Sequence, residues 1–125
     1  MKKLPKPTPT ELELLRLCWR LGSVTARQVH EEIVKEREMS GATVLRLLQI
    51  MHSKGLLDRN ESARSHVYTP TLSQGAVQKG LLRDLIRQVF EGSGKALVLA
   101  ALQDGHVNAG ERAEIQAFLD QDGSI

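Results

Sequence analysis

A phosphate-binding loop is the first chemistry that the residues suggest. Gly92-Ser93-Gly94-Lys95 contains the Gly-Lys pair of that motif. The motif also needs an earlier glycine where this chain has Val89, and a metal-binding Ser or Thr where it has Ala96. The stretch therefore predicts a hinge between helices and not a nucleotide site.

Metal-ligating residues are the second candidates. His30 begins a stretch that resembles a zinc-protease helix, but Val34 occupies the place of the second histidine. The other histidines have no ligand-like spacing, and Cys18 has no cysteine partner in the chain. We therefore expect no catalytic residue, cofactor or metal site, and we do not expect an enzyme.

Binding to a polyanion is the third candidate, because charge is divided unevenly along the chain. Residues 1–70 contain twelve Lys and Arg against eight Asp and Glu, a net charge of +4. Residues 71–125 contain five against seven, a net charge of −2. Such asymmetry suggests that the front half meets a polyanion while the back half has another task, and the pattern of elements must decide whether the polyanion is nucleic acid.

The composition indicates a small soluble protein. Its 125 residues allow one domain or two small ones, and its 41% hydrophobic and 26% charged residues are typical of globular chains. No apolar run approaches the roughly 20 residues of a membrane span. A lone Cys18 fits a reducing compartment. We expect a cytoplasmic protein without a membrane partner.

The front half reads as three helices and a hairpin. Thr8 and Thr25, each with a Glu or Gln three residues on, predict the starts of two helices. Ser40 caps a third helix, whose inward face is formed by Val44, Leu47, Leu48 and Met51. Two short runs on either side of the polar link 61–64 predict a β-hairpin. We therefore predict a mainly α fold that begins with a winged helix-turn-helix over residues 1–71.

The outward face of the third helix is small, polar and basic, without an acidic residue from Gly41 to Leu57. In a winged helix this face enters the major groove, while the second helix and the hairpin reach phosphates. The residues expected to contact DNA are Thr25, Arg27, Ala42, Thr43, Arg46, Gln49, Lys54, Arg64 and His66.

Residues 72–125 are predicted to form a small helical dimerisation domain. Ser73, Ser93-Gly94 and Asn108 mark the starts of three Leu-rich helices. A module of this size buries too little surface to be stable alone, and pairing with a second copy would cover it. The residues expected at this contact are Leu81, Leu85, Val89, Phe90, Leu97, Leu102, Ile115, Phe118 and Leu119.

The order and spacing of these segments resemble the penicillinase-repressor (BlaI/MecI) family of bacterial transcription regulators. The stretches that support the resemblance are Thr10–Trp19, Val24–Ile33, Thr43–Leu56, Tyr68-Thr69-Pro70 and Gly92–Leu99. The resemblance implies a homodimeric repressor that binds a palindromic operator through a winged-helix domain.

The resemblance also implies roles for particular residues. In the family the first turns of the recognition helix contact the operator, which here falls on Ala42, Thr43 and Arg46. Leu45 and Ile50 stand where antibiotic-resistance members tend to have basic residues, so the operator sequence can differ from theirs.

A sensor-linked protease is a further partner that the resemblance implies. In penicillinase-type members it cuts an Asn-Phe bond in the dimerisation domain. The corresponding pair here is Ala100-Ala101, so this chain departs from the family at the cleavage position.

One alternative function stays open at this point. The winged helix would serve as a protein-interaction module without sequence-specific DNA binding, which the modest charge of the front half and the acidic residues of the second helix would suit. A protein partner and no preference among DNA sequences would distinguish this function from repression.

Overall fold

A computed structural model describes residues 6–122, so the outermost ends of the two predicted domains lie outside the described residues. The secondary-structure elements, in chain order, are α1 Pro9–Leu21, β1 Val24–Thr25, α2 Ala26–Ile33, α3 Gly41–Ser53, β2 Leu57–Asn60, β3 Val67–Pro70, α4 Gln74–Val89, α5 Gly94–Gln103 and α6 Ala109–Asp122. The predicted mainly helical architecture with a winged-helix order of elements is confirmed.

The chain divides into two compact units, Met1–Leu81 and Leu82–Ile125. The division falls within α4, about ten residues beyond the predicted boundary at residue 71. The first turns of α4 belong to unit 1, because Val77 is buried there while α4 buries no other residue.

Reciprocal caps fix the starts of the first helices as the sequence predicted. The Glu11 amide donates to Thr8 Oγ1 at 3.1 Å, and the Thr8 amide donates to Glu11 Oε1 at 2.9 Å. Thr25 and Gln28 form the same pair of bonds at the start of α2. Ser40 Oγ accepts from the Thr43 amide at 3.1 Å at the start of α3. Each bond satisfies an amide that a helix end leaves without a partner.

The sheet contains one strand more than the predicted hairpin. Strand β3 lies in the centre and pairs antiparallel with β2 on one side and with β1 on the other. β1 has only two residues, too few to show an alternating pattern in the sequence. Because its Thr25 is also the N-cap of α2, this pairing fixes the start of α2 beside the hairpin.

The core of unit 1 lies between the three helices and the sheet. Its fully or almost fully buried members include Leu14, Leu15, Leu17 and Cys18 of α1, Val29 and Ile33 of α2, Val44, Leu48 and Met51 of α3, and Leu56, Leu57 and Tyr68. Burial raises the pKa of the Cys18 thiol to about 11, as suits a core side chain and not a nucleophile.

Helix α1 buries some of its apolar residues more deeply than others. Leu12 and Trp19 are only partly buried, whereas Leu14 and Leu15 have almost no exposed surface. Trp19 lies at the edge of the core because its indole N–H donates to the Leu72 carbonyl at 2.9 Å. This bond ties α1 to the segment that precedes α4.

Unit 2 has no buried residue among those that the structure describes. Ser93 Oγ caps α5 by accepting from the Ala96 amide at 3.0 Å, and Asn108 and Glu111 form a capping box on α6. Phe118 is nonetheless 64% exposed and Leu119 53% exposed. The helices form as predicted, and the apolar side chains of α6 that were expected at the dimer contact are exposed in one chain.

Within residues 6–122, no helix is long and apolar enough to cross a membrane.

Candidate nucleic-acid interface

Three elements of unit 1 meet around a shallow cavity of about 300 Å³. Its walls are the start of α2, the outer face of α3 and the segment between β2 and β3, which is the tip of the wing. Five of the nine residues predicted to contact DNA line it together: Thr25, Arg27, Gln49, Arg64 and His66. Ala26, Leu45, Ser65 and Tyr68 complete the lining.

The cationic side chains around this cavity are available to an incoming anion. Arg27 Nε lies 3.3 Å from Glu31 Oε1, but the Arg27 side chain is 90% exposed, and ion pairs so exposed contribute little. Within the described residues the guanidinium of Arg64 has no hydrogen-bond or ion-pair partner. Phosphate can therefore bind both guanidinium groups without breaking a strong internal contact.

The outer face of α3 presents the predicted base-reading residues to solvent. Ala42, Thr43, Arg46 and Gln49 are all exposed. The Ser40 hydroxyl donates to Thr43 Oγ1 at 2.9 Å, which leaves the Thr43 proton free to donate elsewhere. The guanidinium of Arg46 and the side-chain amide of Gln49 have no hydrogen-bond or ion-pair partner within residues 6–122.

Lys54, which was also predicted to contact DNA, does not line this cavity. Its ammonium lies 2.6 Å from Glu11 Oε1 and also donates to the Lys6 carbonyl at 3.4 Å. Glu11 is only 3% exposed, so it needs this cation to balance its charge. Lys54 therefore links the end of α3 to the start of α1.

The Glu11 carboxyl responds to two opposing influences. Burial raises its pKa, but hydrogen bonds from Lys54 and from the Thr8 amide, together with the charge of Lys54, outweigh burial and hold the pKa below its usual value. The ion pair is invisible to sequence reasoning because its partners lie 43 residues apart.

Tyr68 places a buried hydroxyl in the core beneath the wing. The residue is 1% exposed, and within the described residues its hydroxyl makes no hydrogen bond of normal geometry. Arg59 lies opposite Tyr68 on the neighbouring strand. Its pKa is raised mainly by hydrogen bonding to Glu61 and, to a smaller extent, by hydrogen bonding to the Tyr68 hydroxyl. A guanidinium only donates, so the hydroxyl proton still lacks an acceptor.

His30 has a structural partner. Its Nε2 lies 3.0 Å from the Met39 carbonyl oxygen, so the ring connects α2 to the segment that leads into α3. Within residues 6–122, no three His, Cys, Asp or Glu side chains form a group that could hold a metal ion.

Leu45 lines the cavity although it was not among the predicted DNA contacts; the sequence marked it only as a position where the operator preference can differ from that of antibiotic-resistance members. It is 41% exposed, whereas Val44, Leu48 and Met51 of the same helix are fully buried. The signal was present in the sequence: Leu45 lies outside the buried stripe of Val44, Leu48 and Met51.

Unit 2 presents a second candidate surface, which is apolar. A groove of about 670 Å³ is lined by Leu82, Leu85, Phe90, Leu97, Ala100, Ala101, Gln103, Asp104 and His106. Three predicted dimerisation residues, Leu85, Phe90 and Leu97, lie here together. Val89, Ile115, Phe118 and Leu119 are exposed, while Leu81 and Leu102 are half-buried. Leu82, Val98 and Leu99 add apolar surface that was not predicted.

The Ala100–Ala101 bond lies inside α5, and both residues are half-buried. The Ala100 carbonyl accepts from the Asp104 amide at 2.9 Å, and the Ala101 carbonyl accepts from the His106 amide at 3.3 Å. A protease would have to unwind the end of α5 to reach this bond.

Comparison with known proteins places these two units in one family. The penicillinase repressor family model matches residues 7–121. The penicillinase repressor of Bacillus licheniformis is 25% identical over 121 residues, which cover 97% of this chain and 94% of that protein. The penicillinase repressor of Staphylococcus aureus is 23% identical over 109 residues, which cover 87% of this chain and 86% of that protein.

Solved structures agree with the fold of the front part. The solution structure of the DNA-binding domain of the repressor BlaI matches with a TM-score of 0.52 and 31% identity, covering 59% of this chain and 90% of that domain. The monomeric form of Bacillus licheniformis BlaI in complex with the blaP half-operator matches equally well, over 60% of this chain and 92% of that one. Because the family model extends over nearly the whole sequence, this chain belongs to the penicillinase repressor family.

Proposed function

We propose that this protein is a DNA-binding transcriptional repressor that acts as a homodimer on a palindromic operator. The observation that carries the proposal is the convergence of Thr25, Arg27, Gln49, Arg64 and His66 around the exposed face of α3. The family is one of transcriptional repressors and not of enzymes. The half-operator complex of the related BlaI supports DNA as the partner.

Two sets of residues divide the work of recognition. Thr43, Arg46 and Gln49 read base edges in the major groove, where the small side chain of Ala42 lets α3 approach closely. Thr25, Arg27, Arg64 and His66 lie beside one another around the cavity next to α3, because Thr25 pairs with Val67 of β3, and they bind phosphates. Lys54 is not part of the proposed phosphate set, because Glu11 already holds its ammonium.

Dimerisation through unit 2 is supported by the exposed apolar surface that one chain leaves uncovered. Burying side chains such as Phe118 and Leu119 removes apolar area from water, which stabilises by about 25 cal/mol for each Å². A two-fold dimer also places two recognition helices on successive major grooves, about 34 Å apart, and so predicts an inverted-repeat operator.

Selection of bound duplexes from a random DNA pool tests this function. We expect the full-length protein to enrich an inverted repeat with half-sites about one helical turn apart. Recovery of no preferred sequence, together with equal binding of unrelated duplexes, would support the protein-interaction alternative instead.

A sensor-linked protease is the second proposed partner, with Ala100–Ala101 as the bond that it would cut. The helical hydrogen bonds at this position imply that cleavage follows local unwinding of α5. Mass analysis of the protein recovered from cells under inducing and non-inducing conditions would detect the two fragments. An intact chain under both conditions would remove this partner from the proposal.

A further inference from the structure

Leu45 is an aliphatic side chain exposed within the polar surface that faces DNA in the proposed function. It retains 41% of its accessible surface, whereas Val44 and Leu48 of the same helix retain none. The side chains that α3 contributes to the core of unit 1 therefore do not include Leu45. A single exposed leucine needs no explanation by itself, so its surroundings decide what it does.

Leu45 shares one cavity with cations of α2 and of the wing. It lines the cavity with Gln49, one helical turn further along the same side of α3. Arg27 lies at the start of α2, and Arg64 and His66 lie on the wing. A duplex whose phosphates bind these cations while α3 lies in its major groove brings base edges close to the exposed Leu45 side chain.

Only one apolar group is available at base edges in the major groove, the C5-methyl of thymine. We propose that Leu45 determines operator specificity by packing against a thymine methyl in each half-site. Gln49 is the side-chain type that pairs with adenine, so the two neighbours together favour a half-site rich in A·T pairs at this position. The inference rests on the proposed function and adds a base preference to it.

Replacing thymine by deoxyuridine tests this contact, because it removes the methyl group and keeps every hydrogen-bonding atom. Each thymine of the selected half-site is exchanged in turn, and the Kd is measured by fluorescence anisotropy. We expect the wild-type protein to bind one of these duplexes about three- to five-fold more weakly, as the loss of one buried methyl predicts.

Variants then assign the effect to Leu45. Leu45→Ala should bind the thymine and deoxyuridine duplexes equally, whereas Leu45→Met should keep the preference because it retains an apolar contact. Val34→Ala is the matched control, since Val34 is 48% exposed, lies at the end of α2 and does not line the cavity. It should keep the wild-type ratio.

The outcomes separate this inference from the proposed function. Absence of any methyl effect in the wild-type protein, or an unchanged effect in Leu45→Ala, would overturn the role of Leu45. A selected, salt-dependent operator would leave the repressor function standing in both cases. Failure to select any sequence would overturn the two together.

Discussion

The Glu11–Lys54 pair shows how one buried carboxylate can serve two helices. Glu11 closes the capping box of α1 and, at 2.6 Å, binds the ammonium of the residue that ends α3. The Lys54 side chain is 33% exposed and Glu11 almost buried, so this pair is screened less than the exposed pairs elsewhere in unit 1.

Glu11→Gln tests this arrangement through its pH dependence. Folding lowers the Glu11 pKa, so the ionised carboxylate adds stability above the ordinary value of 4.5, and that stability is lost as the pH falls through the lowered pKa. We expect Glu11→Gln to lose about 1–3 kcal/mol of unfolding free energy at pH 7, since it leaves Lys54 unpaired.

Urea denaturation between pH 7 and pH 3 measures both variants. The gap in unfolding free energy between wild type and Glu11→Gln should narrow as the pH falls below 4.5, where the unfolded chain binds the proton first, and close once the pH passes the lowered pKa of the folded protein. Glu31→Gln, which removes an exposed carboxylate, is the control and should show a much smaller gap. A gap that stays constant with pH would contradict the role given to the charge.

Tyr68→Phe tests the buried Tyr68 hydroxyl, which has no hydrogen-bond acceptor within residues 6–122. Removing an unsatisfied buried group relieves its desolvation cost, so the unfolding free energy should be unchanged or higher by up to about 1 kcal/mol. The same denaturation experiment at pH 7 measures it. A loss greater than about 1 kcal/mol would show that the hydroxyl has a partner, such as a bound water.

At the scale of elements, the proposed function gives α3 and the wing different parts of recognition. Arg46 lies on the exposed face of α3 that is proposed to enter the major groove, whereas Arg64 lies on the segment between β2 and β3. Base contacts specify the sequence and phosphate contacts position the protein. The two arginines should therefore respond differently when each is replaced by alanine.

Arg46→Ala should cost about 1–3 kcal/mol on the selected operator and relax the preference at one base pair. Arg64→Ala should weaken operator and random duplexes alike and reduce the slope of log K against log salt by about one unit. Anisotropy titrations of both duplexes at several salt concentrations measure these effects. Equal loss on both duplexes for Arg46→Ala would contradict its assignment to bases.

Local signals in the sequence predict the elements well and their packing less well. The capping pairs Thr8–Glu11 and Thr25–Gln28 depend on neighbouring residues, and the helices begin where these pairs predicted. Strand β1 and the position of Trp19 at the edge of the core depend on contacts distant in sequence, such as Val24 with Tyr68 and Trp19 with Leu72. The spacing of residue types along the chain does not predict those contacts.

The candidate site shows the same limit. Arg27, Arg64 and Gln49 were predicted from their chemistry and the order of elements, and the fold brings them together. Lys54 has the same chemistry, but its ammonium is held by a buried carboxylate that no local pattern reveals. Leu45 was named in the sequence only as a departure from the basic residues of antibiotic-resistance members, and the fold places it in the same cavity as the first three residues.

At the scale of the whole molecule, the two units differ in what they bury. Unit 1 contains the entire buried core, while unit 2 buries nothing within the residues described. The exposed apolar side chains of unit 2 are therefore the natural contact for a second copy, as the proposed homodimer requires.

Phe118→Glu tests that contact, because a charge on the apolar side of α6 cannot be covered without a large desolvation cost. Light scattering should change from twice 13.9 kDa to 13.9 kDa, and palindrome affinity should fall to the affinity for one half-site. Ala117→Glu adds the same charge on the opposite side of α6 and should stay dimeric. Dimeric Phe118→Glu would contradict the assignment of this surface.

Binding of the selected palindrome as a function of salt is the most direct test of the central claim, that a dimer holds operator DNA by cations around a base-reading helix. We expect two chains for each duplex and an affinity that falls about a thousand-fold or more between about 50 and about 200 mM salt. The palindrome should also bind far more tightly than a random duplex at every concentration. An affinity that does not change with salt, or equal binding of the two duplexes, would contradict the account.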